Sequence, residues 1–390
     1  MAKSKSAAAG KWTPIRAGLS KMTLRERWVR TMHYRKADRL PFMEFGYWDE
    51  TLPLWHEQGL PRTITTEAQA YAYFGIEDWH DSGVNTNGLC PAFERETIEE
   101  DADYIVWRDE ERALKKESKK VIKTIPHFIE YGLRSREDWK LFKARLDPAT
   151  PERFPADWER RVEELRTRDY PMCISIGSLI GKPRNWAGFE NIGVLAYDDP
   201  ALFEEIIETI CACGCAVLER ALQQVQPDFG AGWEDICFKN GPIISPKMFD
   251  RWIVPRYKRI TDLLLKHGVD VVWTDCDGNI MPILDQFLAG GINCMFPLEV
   301  AGGTDPVAIR EKYGRKVLLQ GGVDKVALLK GPKGIEQELL RLKPLVEEGG
   351  FVPHVDHRCP ADVTLENYKF YLKLKRQMFN AGDLQPHYKE

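Results

Sequence analysis

Val269-Asp270-Val271-Val272-Trp273-Thr274, followed at once by Asp275-Cys276-Asp277-Gly278-Asn279 and then by a helical pattern, is the stretch whose reading sets the fold. From Pro171 onward the same sentence recurs. β-rich runs at Met172 to Ile176, Asp228 to Gly232, Val269 to Thr274, Ile292 to Phe296, Lys316 to Gln320 and Phe351 to Val355 each lead into a helical pattern. Such alternation is the mark of repeated βα units around a parallel sheet. Ser245-Pro246 opens one helix that runs through Lys266, and Thr364 with Asn367 opens the last. Leu40 to Phe45 and one poorly defined strand before Pro171 bring the count to the eight of a closed (β/α)8 TIM barrel. The rival, a doubly wound sheet, lacks a G-x-G-x-x-G after its first strand.

Towards the amino end the rhythm changes. Phe93-Glu94-Arg95-Glu96-Thr97-Ile98, followed by Tyr104-Ile105-Val106-Trp107, alternates in a way that predicts an antiparallel excursion within Phe93 to Thr124. Arg136 to Arg168, dense in Glu, Arg and Lys, reads as a solvated helical insertion. Met1 to Met22 carries Lys3, Lys5, Lys11, Arg16 and Lys21 with no acidic residue, and reads as a disordered basic tail. The barrel is then a single domain over 23–390.

With 390 residues, 43% of them hydrophobic, the chain can bury a large core. Its formal net charge of −4, without a Lys/Arg block, excludes the footprint of a nucleic-acid binder. No apolar run approaches the roughly 20 residues of a membrane span, and no secretory leader is legible, so a cytoplasmic protein is expected. Nine cysteines, an odd number, point to reduced thiols. Cys211, Cys213 and Cys215 fall inside the helical pattern Ala201 to Val225, where neighbours in sequence point apart, and read as small core residues.

Chemistry in such a barrel gathers at the carboxyl ends of the strands. There the sequence places Trp233-Glu234-Asp235, Thr274-Asp275-Cys276-Asp277-Gly278-Asn279, Pro297-Leu298-Glu299, and His354-Val355-Asp356-His357-Arg358-Cys359. Four ends bearing carboxylate or imidazole can supply acid/base groups or hard-metal ligands to one cleft, although the same residue types also cap helices. Asp275 and Asp277, in a turn that Gly278 permits, with His357 as a third ligand, suit a divalent ion such as Zn, Fe or Mn; metal-free use of these groups stays equally open. A thiol nucleophile at Cys359 beside His357 lacks an oxyanion site. The glycines of Gln320-Gly321-Gly322-Val323-Asp324 read as a turn. Glu44-Phe45-Gly46-Tyr47-Trp48-Asp49 suits a pocket for a flat or methoxylated aromatic compound. Expected substrate contacts are Glu44, Tyr47, Trp48, Trp233, Asn279 and His354.

Several of these segments resemble one family. Thr23-Leu24-Arg25-Glu26-Arg27, Lys36-Ala37-Asp38-Arg39-Leu40-Pro41, Gly241-Pro242, Ser245-Pro246-Lys247-Met248-Phe249, Pro255-Arg256-Tyr257-Lys258 and Thr364-Leu365-Glu366-Asn367-Tyr368 are similar to the uroporphyrinogen decarboxylase superfamily. The likeness runs from Leu24 to Phe379 and implies a single closed barrel. The superfamily holds the porphyrinogen decarboxylase and zinc-dependent methyltransferases that move methyl groups between corrinoid proteins and thiols or other acceptors. The decarboxylase carries an Arg-Gln-Ala-Gly-Arg motif after its first strand; here Phe42 to Pro61 contains no arginine. The methyltransferases carry His-x-Cys before Gly-Asn, which by resemblance puts Asp275 and Asp277 at the first two ligand positions and His357 at the third, with harder groups replacing thiolates. His357 also falls where the decarboxylase has its active-site histidine.

The resemblance thus implies a corrinoid-linked methyltransferase or O-demethylase. Asp277 and His357 would act at the leaving atom as acid or metal ligand, with Glu234 and Glu299 orienting a small-molecule substrate. A divalent metal, zinc first by family, and a corrinoid supplied by a partner protein or bound transiently are the expected cofactors. A homodimer is the expected assembly. Decarboxylation of a carboxylated ring, or a non-catalytic corrinoid- or ligand-binding barrel, are the alternatives.

Overall fold

A capping box opens at Thr23: its Oγ1 accepts the Glu26 amide at 3.1 Å, and the Glu26 carboxylate accepts the Thr23 amide at 2.8 Å, fixing the start of helix Leu24–Met32. The computed structural model describes residues 15–16 (main chain), 21–120, 125–381 and 384–388. Most of the expected basic tail, 1–14 and 17–20, lies outside the described residues. Ile15–Arg16 pairs antiparallel with Leu384–Gln385. Two compact units share the chain, one made of 1–80, 168–172 and 294–390, the other of 81–167 and 173–293. Among the described residues no helix is long and apolar enough to cross a membrane.

In the second unit three parallel strands form the frame: β1 (Met172–Gly177), β2 (Phe229–Trp233) and β3 (Val272–Asp275). β2 is central, with Ile174 and Val272 both opposite Gly230. Helices Gly181–Ala187, Phe189–Asp198 and Pro200–Leu222 follow β1, and Pro246–Trp252 and Val254–Lys266 follow β2. Ser245 caps the first of this last pair, accepting the Met248 amide at 3.2 Å. Cys211 and Cys213 are buried on the long helix, in the core role expected. The antiparallel excursion is a four-stranded sheet, Glu96–Glu100, Tyr104–Arg108, Leu114–Ser118 and His127–Glu130. The charged insertion is helical at Arg136–Lys143 and Trp158–Arg166, and buries Trp139, Phe142, Trp158, Val162 and Leu165 on its inner faces.

The first unit carries β4 (Cys294–Phe296), β5 (Leu318–Val323) and β6 (Phe351–Val355), again parallel, with Cys294 opposite Leu318 and Leu319 opposite Phe351. Thr364 Oγ1 accepts the Asn367 amide at 3.1 Å and starts Leu365–Met378. Two expectations change here. Gly321 and Gly322 belong to the end of β5, with φ of +107° and +71°, and not to a turn. A Cβ on Gly321 would lie 1.9 Å from the Pro297 carbonyl oxygen, which accepts the Gly322 amide at 2.9 Å, so close main-chain approach demands glycine. Leu40 to Phe45 forms only an isolated parallel bridge, Met43 to Glu77. The poorly defined strand before Pro171 is His80–Asp81, where the His80 amide bonds to the Pro171 carbonyl at 3.0 Å.

What anchors the 40–48 segment is a side chain. Glu44 accepts the Val355 amide of β6 at 3.2 Å, the Tyr371 hydroxyl at 2.8 Å and the Lys375 ammonium at 2.6 Å, and the two charged side chains are 1% and 0% exposed. Lys375 also donates to the Met43 carbonyl at 2.8 Å. A buried charge left without its partner is far less stable than the pair. Lys375→Met is therefore expected to lower unfolding free energy by about 3–5 kcal/mol in urea denaturation, and Glu44→Leu with Lys375→Met to recover most of it.

Candidate active site

At the ends of β4 and β6 two imidazoles and three aromatic rings gather. Phe45 lies edge-on to Phe296 at 4.6 Å between ring centres, and sits 5.9 Å from His354 and 6.0 Å from His357. His357 is half-buried and receives the Trp48 indole N–H on Nδ1 at 3.2 Å. His354 is fully buried; its Nδ1 meets the Val355 carbonyl at 2.8 Å, and burial among apolar rings lowers its pKa to about 3, so it is neutral.

Beside them stands a charged group on the same strand ends. Asp356 is buried; its carboxylate accepts the Val300 amide at 2.9 Å and the Lys325 amide at 3.0 Å, joining the segments that follow β4 and β5. Burial pushes its carboxyl up to about 7 against the pull of Lys325 and those amides. Glu299 holds the Lys325 ammonium at 2.5 Å, with both side chains about one-fifth exposed. Lys325, the first residue of helix Lys325–Leu329, had no motif to mark it in the sequence beyond its place just past β5.

The second unit ends β2 and β3 differently. Glu234 is fully buried, and its carboxylate accepts the amides of Leu179, Ile180 and Gly181 at 2.7, 2.8 and 2.7 Å, the Ser178 hydroxyl at 3.2 Å, and the Tyr257 hydroxyl. Burial raises its pKa while these donors oppose the rise. Every lone pair is engaged, so Glu234 holds the turn after β1 and is not placed to orient a substrate. Asp235 takes a left-handed φ of +46°, held by Arg184, which bonds its carbonyl and, at 3.0 Å, its carboxylate. The Arg184 guanidinium also lies 5.2 Å from the Trp233 ring centre.

Asp275 and Asp277 remain together at the end of β3. The Asp275 carbonyl accepts the amides of Glu234 at 2.8 Å and Asp235 at 3.3 Å. Gly278 (φ +74°) packs its α-carbon against Cys237, whose carbonyl oxygen would lie 2.6 Å from a Cβ. The Asn279 side chain accepts the Met281 amide at 3.1 Å, just before the helical turn Met281–Ile283. Two further expected contacts also turn inward. Glu44 is spent on Lys375, and Tyr47 is buried with its hydroxyl 3.1 Å from that of Tyr368.

The metal expectation meets a poor donor set. Among the described residues no group of three or more His, Cys, Asp or Glu side chains is placed to hold an ion. The lone pair on His357 Nδ1 is already taken by Trp48.

A model of one family, Uroporphyrinogen decarboxylase (URO-D), matches residues 176–378, more than half of the chain. The chain belongs to the uroporphyrinogen decarboxylase family. A solved methyltransferase from Methanosarcina mazei is similar in fold, with a TM-score of 0.58 and 15% identity over 92% of this chain and 99% of that one. A B12-independent methionine synthase from Shewanella sp. W3-18-1 aligns with a TM-score of 0.40 and 11% identity over 87% of this chain and 98% of that one. The α/β-barrel class read from the strand–helix alternation is the fold of this uroporphyrinogen decarboxylase-like enzyme.

Two outcomes test the site assignments. Glu234→Ala strands three buried amides and a phenol, and should lower stability by about 3 kcal/mol or more in chemical denaturation. His354 is neutral when folded, with its pKa below the unfolded value, so the unfolded chain binds the extra proton as pH falls below about 6.5 and stability drops. Between pH 7 and 5 the protein should lose about 2 kcal/mol more than His354→Gln does, measured by urea unfolding at each pH.

Proposed function

We propose that this family member is a methyltransferase that removes the methyl group of a small methoxylated aromatic compound and passes it to the cobalt of a corrinoid carried by a partner protein. The observation that carries the reading is His357, a half-buried imidazole at the end of β6 flanked by the rings of Trp48 and Phe45. Such a wall suits a flat, weakly polar ring. The fold likeness to a methyltransferase, over nearly the whole of both chains, supports the same class.

Reduced cobalt is the electron-pair donor. It attacks the methyl carbon, the carbon–oxygen bond breaks, and the bonding pair leaves on oxygen as a phenolate that takes a proton from water. A hydrogen-bond donor at that oxygen stabilises the charge as it develops and not before. His357 fills this role, with Glu299–Lys325 as the charged pair beside β4 and β5.

Incubation with chemically reduced cobalamin and a panel of methoxylated benzenes and benzoates tests the proposal. Methylcobalamin and the matching phenol are expected, read by absorbance and chromatography, with His357→Ala about 100-fold slower or worse. Carbon dioxide release from the benzoates without methyl transfer would overturn the reading in favour of a decarboxylase.

A further inference from the structure

Of Cys211, Cys213 and Cys215, the first and last converge. They stand one turn apart on the same face of helix Pro200–Leu222, and their thiols are hydrogen-bonded to each other. Cys213 points elsewhere, with its Sγ 3.6 Å from the Thr86 carbonyl oxygen. Cys211 and Cys213 are buried, whereas Cys215 is half-buried and meets water. This departs from the core role that the sequence suggests for all three.

Surroundings decide which of the two sulfurs carries a negative charge. Cys211 is fully buried, and its Sγ lies 3.6 Å from the Arg256 carbonyl oxygen, a place where sulfur keeps its proton. Cys215 is hydrated and stands in the field of the Arg259 guanidinium, on the neighbouring helix Val254–Lys266. Glu208 holds that guanidinium at 2.5 Å and also takes Arg256 at 2.9 Å. The Cys211 S–H has a carbonyl and a thiolate as possible acceptors, and the charged one binds it more strongly. The bond from Cys211, opposed by partial burial and by Glu208 and aided by Arg259, holds the Cys215 thiol below its ordinary value. Giving up that bond, together with burial, raises Cys211.

We propose that Cys215 is an oxidation site, a thiolate that reacts with hydrogen peroxide to give a sulfenic acid, with Cys211 as the donor that stabilises it and not as a partner that closes a disulfide. The thiolate sulfur attacks one peroxide oxygen, the S–O bond forms as the O–O bond breaks, and the leaving hydroxide takes a proton from solvent to become water. Sulfur loses two electrons and the peroxide gains them. Helix geometry fixes where the oxidation stops. Residues four apart on a helix hold their Cβ atoms about 5–6 Å from each other, and a disulfide needs about 3.5–4.5 Å. Cys211 therefore cannot close on Cys215 while this turn of helix is intact, and its S–H stays as a donor to the oxidised side chain.

The test uses the full chain, reduced, freed of small thiols, and treated with an equimolar amount of hydrogen peroxide in the presence of dimedone before digestion and tandem mass spectrometry. Dimedone is expected on Cys215 ahead of every other cysteine. Without dimedone the intact protein should gain one oxygen atom and return to its starting mass with dithiothreitol. Cys211→Ala should slow the labelling about 3- to 10-fold at pH 7, and Cys211→Ser, which keeps a donor in the same place, should bring it back to within about 2-fold of the wild type. Arg259 has a side chain 47% exposed, so Arg259→Gln is a second variant that leaves the core alone, and it should slow the labelling about 2- to 3-fold. First labelling at another cysteine, an oxidised protein that has lost two hydrogens across Cys211 and Cys215, or equal rates in the wild type and Cys211→Ala would overturn the proposal.

Discussion

A carboxylate is stable in a protein interior only when hydrogen-bond donors surround it, and three such groups tie the strand ends of this chain together. Glu44 takes an amide of β6, an ammonium and a phenol; Glu234 takes three successive amides and two hydroxyls; Asp356 takes one amide from each of two segments. Parallel strands leave irregular main chain at their carboxyl ends, where helices have not yet begun and ladder partners have run out. Buried acceptors with two oxygens satisfy that main chain. The price is that each such carboxylate is withdrawn from chemistry.

This withdrawal explains which parts of the site were legible. Helix starts at Thr23, Ser245 and Thr364, the strand Phe351–Val355 and the antiparallel excursion all follow from local patterns, because caps and alternation are local physics. The clustering of Glu, Asp and His at strand ends was visible in the same way. Their division into structural and exposed members was not. Glu44 and Glu234 look like substrate-facing groups on position alone, and only Lys375 and Tyr257, 331 and 23 residues further along, reveal where their lone pairs go. Lys325 illustrates the converse, since nothing in a single lysine at a helix start announces a contact with Glu299.

Aromatic density in Glu44 to Asp49 was readable as a recognition surface, yet its members divide by side: Phe45 and Trp48 face the His357 imidazole, whereas Tyr47 packs with Trp55, Tyr71 and Tyr368. An almost strandless segment makes such a division possible, because no pleat forces alternate residues to opposite faces.

The attachment of that segment through Glu44 also determines how faithfully it is indexed. A β-ladder repeats, so two paired strands can slide by an even number of residues and recover most of their bonds. One carboxylate shared among a single amide, a single ammonium and a single phenol has no second solution. Insertion or deletion of one residue between Glu44 and Trp48 would carry the indole off its imidazole with nothing to restore the alignment, so the spacing of these two residues is a fixed length in this chain, as strict as the distance between the jaws of a gauge.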